Sequence, residues 1–167
     1  MTAGILARLG IDMGLVDEKG EDVHVSRVCK ACFELGAVSQ ARVSQEVQHF
    51  YSRHEGLKYP DLCRLPHLID EAMPKPRTLI WVNRKLGGVA DCIERKFSAP
   101  YSALHTVTEI IAAKPALFAL FDIVFEFSYE EMCQYPDGVI AELVAELGLS
   151  KPIDEAVAWV ARPRKPK

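Results

Sequence analysis

Two residue pairs in this sequence have the types and spacing that could do chemistry. Cys29 and Cys32 are separated by two residues, a spacing found in redox-active thiol pairs and in half of a zinc site. Glu130 and Glu131 are adjacent carboxylates, which could serve acid–base catalysis or bind a metal ion. Each pair must be judged by the element that would position it.

Both pairs fit a structural role better than a chemical one. No second CxxC and no HxxxH follows the cysteines, so four zinc ligands are difficult to assemble. Cys29 and Cys32 fall in a predicted helix, where residues three apart share one face. Glu130 and Glu131 fall at a predicted helix start, where the helix dipole favours acidic side chains. Asp12, in the turn after the first predicted helix, is interpreted in the same way. We therefore predict no metal site.

The composition and charge indicate an ordinary globular protein. Of the 167 residues, 49% are apolar and 26% are charged, which suits one domain that buries a core without disulfides or metal. A net charge of −3 gives no support for a nucleic-acid or membrane partner. We expect a single α/β domain over residues 1–161 and a solvated basic tail over residues 162–167.

The sequence also bears on the cellular compartment. No apolar run approaches the roughly 20 residues that span a bilayer. The N-terminal stretch carries Arg8 within it and lacks the features of a signal peptide. The five cysteines are an odd number scattered along the chain, which suits reduced thiols. We therefore predict a cytoplasmic protein.

Two apolar runs predict strands, and helical patterns surround them. Residues 78–82 form a continuous apolar run of β-forming residues, typical of a strand buried on both faces of a parallel sheet, and residues 122–127 are the second predicted strand. The alternation of strands and helices predicts an α/β fold with right-handed crossovers. Predicted helices cover residues 2–10, 27–35, 39–53, 61–72, 86–97, 102–120, 129–133, 137–147 and 154–160.

Start and stop signals give these helices their expected bounds. The predicted N-caps are Ser26, Ser39, Asp61 and Asp137. Glycines at positions 10, 36 and 148 are expected to end helices. Pro66 should kink or split its helix, and Pro115 should begin a new segment. Residues 15–25 are polar and are predicted to be irregular.

Several segments, taken in order, resemble the P-loop sulfotransferase family, most closely its bacterial members. The family's turn L-G-[VI]-D-M-G, which follows the helix after the phosphate loop, reads LGIDMG at residues 9–14. Residues 56–60 (GLKYP) resemble the W-G-W-K-D-P stretch, and residues 127–132 (FSYEEM) resemble the [RS]-Y-E-D-L element. Residues 78–95 resemble the strand and helix that hold the 3′-phosphate of the sulfate donor.

The resemblance implies a fold and a reaction. The fold would be a P-loop NTPase-like three-layer α/β fold, with a short parallel sheet flanked by many helices. The family transfers a sulfuryl group from 3′-phosphoadenosine-5′-phosphosulfate, as co-substrate, to a hydroxyl or amine. No metal is implied, and the acceptor would be a small molecule or a glycan.

The same resemblance implies that part of the family's donor site is missing. The family's phosphate loop, roughly P-[KR]-S-G-T-[ST], would fall immediately before Met1, and so would the first strand. Backbone N–H groups of such a loop stabilise the 5′-phosphosulfate. We therefore expect no donor binding measurable by calorimetry for residues 1–167. If the true start codon lay upstream and the added sequence encoded a complete phosphate loop, the prediction of an active enzyme would be restored.

The resemblance assigns Arg84 and Cys92 to the 3′-phosphate site. The family places an Arg at the end of this strand and a Ser eight residues later, and the two positions here have that spacing. A guanidinium binds phosphate through two parallel hydrogen bonds. A thiol is a weaker donor than a hydroxyl, so Cys92 weakens the match. A surface arginine after a strand is the alternative for Arg84.

The catalytic candidates are Lys58 and His54. Lys58 matches the family's lysine in W-K-D-P and would neutralise charge on the sulfuryl group, whereas the following Asp is Tyr59 here. His54 is the candidate general base on the acceptor hydroxyl, and His49 and His67 also flank this stretch. No motif surrounds the three histidines. The alternatives are a solvated lysine and packed or surface histidines.

The sequence leaves two functions open. The first is a sulfotransferase-family enzyme whose activity is impaired or lost as the chain stands. The second is a non-catalytic interaction or structural module on the degraded fold. A missing first strand would leave a sheet edge uncovered, through which a partner chain or a second copy could pair.

Overall fold

The centre of the fold is a pair of parallel strands. The computed structural model describes residues 2–16, 21–33, 35–85, 88–89 and 100–162. β1 (Thr78–Asn83) pairs with β2 (Ile123–Ser128) in parallel, with Thr78 opposite Ile123 and Asn83 opposite Ser128. The predicted strands and their parallel pairing are confirmed. These two strands form the whole sheet within the described ranges.

Eight α-helices in the described residues surround the sheet, which confirms the mixed α/β class. One 3₁₀ helix, Pro60–Arg64, precedes α4. The α-helices are α1 (Thr2–Arg8), α2 (Val23–Phe33), α3 (Gln40–Tyr51), α4 (Pro66–Ala72), α5 (Pro100–Phe118), α6 (Tyr129–Gln134), α7 (Pro136–Glu146) and α8 (Asp154–Ala161). Most of the predicted 86–97 helix and residues 163–167 of the predicted tail lie outside the described residues.

Several local signals act as the sequence predicts. Gly10 follows α1 with φ of +90°, and Gly148 follows α7 with φ of +62°, a region that glycine enters without a Cβ clash. Ser39 caps α3 by accepting a hydrogen bond from the Arg42 N–H. Pro66 separates the 3₁₀ helix from α4, as expected of a residue that breaks a helix.

Other predicted bounds are wrong, and each has a local cause. α2 begins three residues before Ser26, because the buried Asp22 Oδ1 accepts hydrogen bonds from the backbone N–H groups of residues 24 and 25. Asp61 and Asp137 are not N-caps, since Pro60 and Pro136 open those two helices, where the missing N–H costs nothing. The predicted irregular stretch 15–25 also contains an antiparallel bridge between Val16 and Asp22.

Pro115 does not begin a new segment. α5 continues through it to Phe118. Pro115 lies in the last turn of the helix, and Leu117, two residues later, is fully buried. We attribute the continuity to this burial, which keeps the end of α5 packed on its neighbours.

Alternate residues of the strands separate two hydrophobic cores. Ile80 and Phe125, opposite each other in the register, pack against a core built from α1, β2, α6, α7 and α8. Leu79 and Trp81 point to the other face and pack against a core built from α2, α3, α4 and α5 with the 3₁₀ helix. The sheet therefore lies between two layers of helices.

A buried arginine fixes the start of β1. The side chain of Arg77 is 3% exposed and donates to Asp70 Oδ1 at 2.8 Å, to the Asp70 carbonyl at 2.7 Å and to the Met73 carbonyl at 3.0 Å. Its backbone N–H donates to Asp122 Oδ2 at 2.7 Å, just before β2. Both strands and α4 are thus tied together at this residue.

Within the described parts of the chain, no helix is both long enough and apolar enough to cross a membrane.

Candidate functional site

Two loops that are distant in sequence lie directly against each other. The backbone N–H groups of Glu55 and Gly56 both donate to the Asp12 carbonyl, at 2.9 and 3.0 Å, and the Asp12 N–H donates to Glu55 Oε2 at 3.0 Å. Gly56 allows this approach, because a Cβ there would lie 2.5 Å from Met13 Sδ and 2.9 Å from Ile11 Cγ2. The loop after α1 therefore forms one unit with the loop after α3.

This unit pairs a histidine with a carboxylate. His54 Nδ1 lies 2.9 Å from Asp12 Oδ2, and Asp12 Oδ1 accepts a hydrogen bond from the Gly14 N–H at 3.0 Å. The hydrogen bond from His54, followed by that from Gly14, holds the pKa of Asp12 below its ordinary value. The His54 ring also packs on Phe50, with 4.9 Å between ring centroids. An imidazole that donates Nδ1–H to a carboxylate keeps Nε2 as its basic atom.

Lys58 belongs to the same region but has an acidic partner. Its Nζ lies 3.1 Å from Glu21 Oε1, and the side chain is 31% exposed. Glu21 therefore compensates the Lys58 charge in this conformation. A lysine in such a pair stabilises added negative charge less than a lysine that faces only the site.

His54 and Lys58 line one large cavity of about 670 Å³. α1 contributes one side of it, and α4 with the 3₁₀ helix contributes another. Five consecutive residues of β1, 78–82, form a third side. Most of the lining side chains are apolar, and the volume is that of a typical small-molecule pocket.

Tyr51 is a cavity-lining residue whose pKa is changed by burial. Tyr51 is the last residue of α3 and lines the cavity. Loss of hydration raises the pKa of its phenol well above the ordinary value, against a smaller effect of a hydrogen bond with the Leu57 backbone. Tyr51 therefore stays protonated and acts here as a neutral hydrogen-bonding group.

Arg84 lies at the carboxyl end of β1 and does not line the cavity. Its guanidinium carbon lies 4.7 Å from the ring centroid of Tyr129, the first residue of α6 after β2. The next backbone N–H, of Lys85, donates to Glu130 Oε1 at 3.3 Å. Cys92, the other predicted phosphate ligand, lies outside the described residues.

A polar network occupies the same end of the sheet. Trp81 Nε1 donates to Asn83 Oδ1 at 3.0 Å, and Asn83 Nδ2 donates to Glu126 Oε1 at 2.6 Å. Lys114 also contacts Glu126. The hydrogen bond from Lys114, and then that from Asn83, lowers the pKa of Glu126. Glu126 thus remains ionised on β2, where it lies opposite Trp81 in the strand register.

The structure groups the predicted residues differently from the sequence. It brings His54 and Lys58 to one cavity and adds Asp12 and Glu21, which the sequence did not link to them. No local signal could have found these partners, because 42 and 37 residues separate the two pairs. The sequence predicted only a structural role for Asp12, but its carboxylate contacts His54, the candidate general base.

The cysteine pair lies within one helix. Cys29 is fully buried and Cys32 is half-buried, both in α2. Across the described ranges, no group of three His, Cys, Asp or Glu side chains could hold a metal ion. Glu130 and Glu131 lie in the first turn of α6, where Glu131 completes a capping box with Ser128.

No family model, curated protein or solved structure matches this chain.

Proposed function

We propose that this chain is a sulfotransferase-related protein of P-loop NTPase-like fold, in which Arg84 binds phosphate of the sulfuryl donor. The observation that carries the proposal is the position of Arg84, immediately after β1 at the carboxyl end of two parallel strands. Ligands of parallel α/β sheets bind at this end of the strands. Tyr129 holds the guanidinium over its ring and leaves the charge available to an anion.

The transfer step would use His54 and Lys58. His54 Nε2 takes the proton from an acceptor hydroxyl or amine, while Asp12 stabilises the imidazolium that forms. The acceptor atom forms a bond to sulfur as the bond from sulfur to the donor's phosphate oxygen breaks, and the nucleoside bisphosphate leaves with the electron pair. Lys58 leaves its contact with Glu21 and binds the sulfuryl oxygens, where it stabilises their negative charge.

The donor part of this proposal is tested by titration with adenosine 3′,5′-bisphosphate, followed by amide NMR shifts. We expect dissociation constants on the order of 1 mM, with shifts centred on Arg84, Lys85 and Tyr129. Arg84→Gln should abolish these shifts, whereas Arg42→Gln, which removes an exposed arginine paired with Glu46 on α3, should leave them unchanged. Amide shifts centred elsewhere would contradict the proposal. So would the absence of shifts at a bisphosphate concentration of about ten times the expected dissociation constant.

The second candidate is a non-catalytic interaction module on the same fold. The Lys58–Glu21 pair favours it, because the lysine that should serve transfer is already compensated. Sulfuryl transfer to a panel of small-molecule and glycan acceptors separates the candidates. A rate that falls at least about a hundredfold in His54→Ala supports the enzyme, since general-base catalysis contributes that much. A rate equal to the uncatalysed reaction in both proteins supports the module.

A further inference from the structure

The cavity beside β1 follows the edge of the strand rather than one of its faces. Successive strand residues point to opposite faces, and residues 78–82 all line the cavity. No residue of β2 lines it. The cavity therefore runs along the edge of β1 that faces away from β2.

That edge carries backbone groups that have no partner among the described residues. In a strand with one neighbour, alternate N–H and C=O groups point away from that neighbour. Among the described residues, backbone hydrogen bonds of β1 reach only β2. An occupant that satisfies this edge must present donors and acceptors at the spacing of a strand.

Both helical layers extend past this edge and enclose it. Ala3 and Leu6 of α1 belong to one core, Leu62 and Ile69 belong to the other, and all four line the cavity. The edge thus lies in a slot between two apolar walls. The β1 edge of a second copy would carry the same walls, which would collide before the two edges met.

We propose that this slot binds a single extended, apolar peptide segment of a partner protein as a third strand beside β1. Backbone hydrogen bonds to β1 would supply affinity, and the two walls would select apolar, β-branched side chains on both faces of the segment. A segment of five to six residues, about 17–20 Å long, matches the length of β1. This inference does not depend on sulfuryl transfer.

The test uses the 167-residue chain and a Val-Ile-Val-Ile-Val peptide flanked by lysine pairs. Hydrogen exchange with mass spectrometry should show amides of residues 78–83 protected about tenfold by the peptide. Trp81, which lines the slot, reports the affinity by fluorescence. The same peptide with alternate backbone nitrogens methylated keeps its side chains but loses its donors, and should bind at least about tenfold more weakly.

Two variants locate the binding. Cys63→Trp places a large ring in the slot and should weaken peptide binding at least about tenfold. Cys133→Trp changes an exposed residue outside the slot and should leave peptide binding unchanged. Equal binding of the methylated peptide would overturn the proposal, since it would show a pocket for apolar groups without strand pairing. Protection of residues 78–83 by dimerisation alone would also overturn it, in favour of a second copy as the occupant.

Discussion

His54 Nδ1 lies 2.9 Å from Asp12 Oδ2, and this contact joins the loop after α1 to the loop after α3. The Asp12 backbone carbonyl accepts two further hydrogen bonds from the second loop. The candidate base and its partner are therefore held by the same backbone contacts that build the cavity wall. Changes that separate the loops should affect stability and the histidine together.

The Asp12 contact should make stability depend on pH. Its pKa is lowered in the folded protein by the hydrogen bond from His54, so the unfolded chain takes up a proton first as the pH falls. The stabilisation is present above the ordinary Asp pKa and is lost as the pH falls through the lower folded value. We expect Asp12→Asn to flatten the dependence of the unfolding free energy on pH between roughly pH 5 and 3, measured by urea denaturation. In a His54→Gln background, Asp12→Asn should change the slope much less.

Gly56 should not tolerate a side chain. In Gly56→Ala the new Cβ would meet Met13 Sδ and Ile11 Cγ2, so the two loops must separate or the side chains must leave their positions. We expect a loss of about 1–3 kcal/mol in the free energy of unfolding, with a changed NMR signal of the His54 ring. A stability and a ring signal equal to wild type would show that the loops do not require glycine.

Replacing each of two helical glycines by alanine should change the free energy of unfolding in opposite directions. A Cβ at Gly4 in α1 would lie 2.5 Å from Trp159 Nε1, whereas a Cβ at Gly138 in α7 would meet nothing within 4 Å. Gly138→Ala should raise the free energy of unfolding by about 0.5–1 kcal/mol through helix propensity. Gly4→Ala should lower it, because Trp159 must move from its place on α1. Thermal unfolding of both variants in one buffer makes the comparison, and a gain in Gly4→Ala would contradict the packing.

Arg77 should be one of the costliest positions to change. Arg77→Met would leave the carbonyls of Asp70 and Met73 without the donors that the buried Arg77 guanidinium supplies. We expect a loss of about 2–4 kcal/mol, or roughly 5–15 °C in the unfolding temperature. Asp70→Asn removes only the carboxylate, which is 55% exposed, and should cost much less. Equal losses in the two variants would mean that the ion pair, not the carbonyl contacts, carries the stability.

The sequence by itself determined the elements whose signals are local. The strand runs predicted β1 and β2, and the continuous apolar run at residues 78–82 predicted a strand of a parallel sheet. Glycines after α1 and α7 and the Ser39 cap act within one helical turn of their position. Where such signals competed, as between Asp137 and Pro136, only the folded backbone decided which residue opened the helix.

Only the tertiary structure decided the candidate site. The Asp12–His54 and Lys58–Glu21 pairs join residues 42 and 37 positions apart, and no periodicity links such positions. The sequence predicted an uncovered sheet edge, but the enclosed slot beside β1 required the placement of α1 and α4 on opposite sides of it. Contacts of this kind depend on how the helical layers pack. Tertiary packing, and not the neighbouring residues in the sequence, determines which side chains meet.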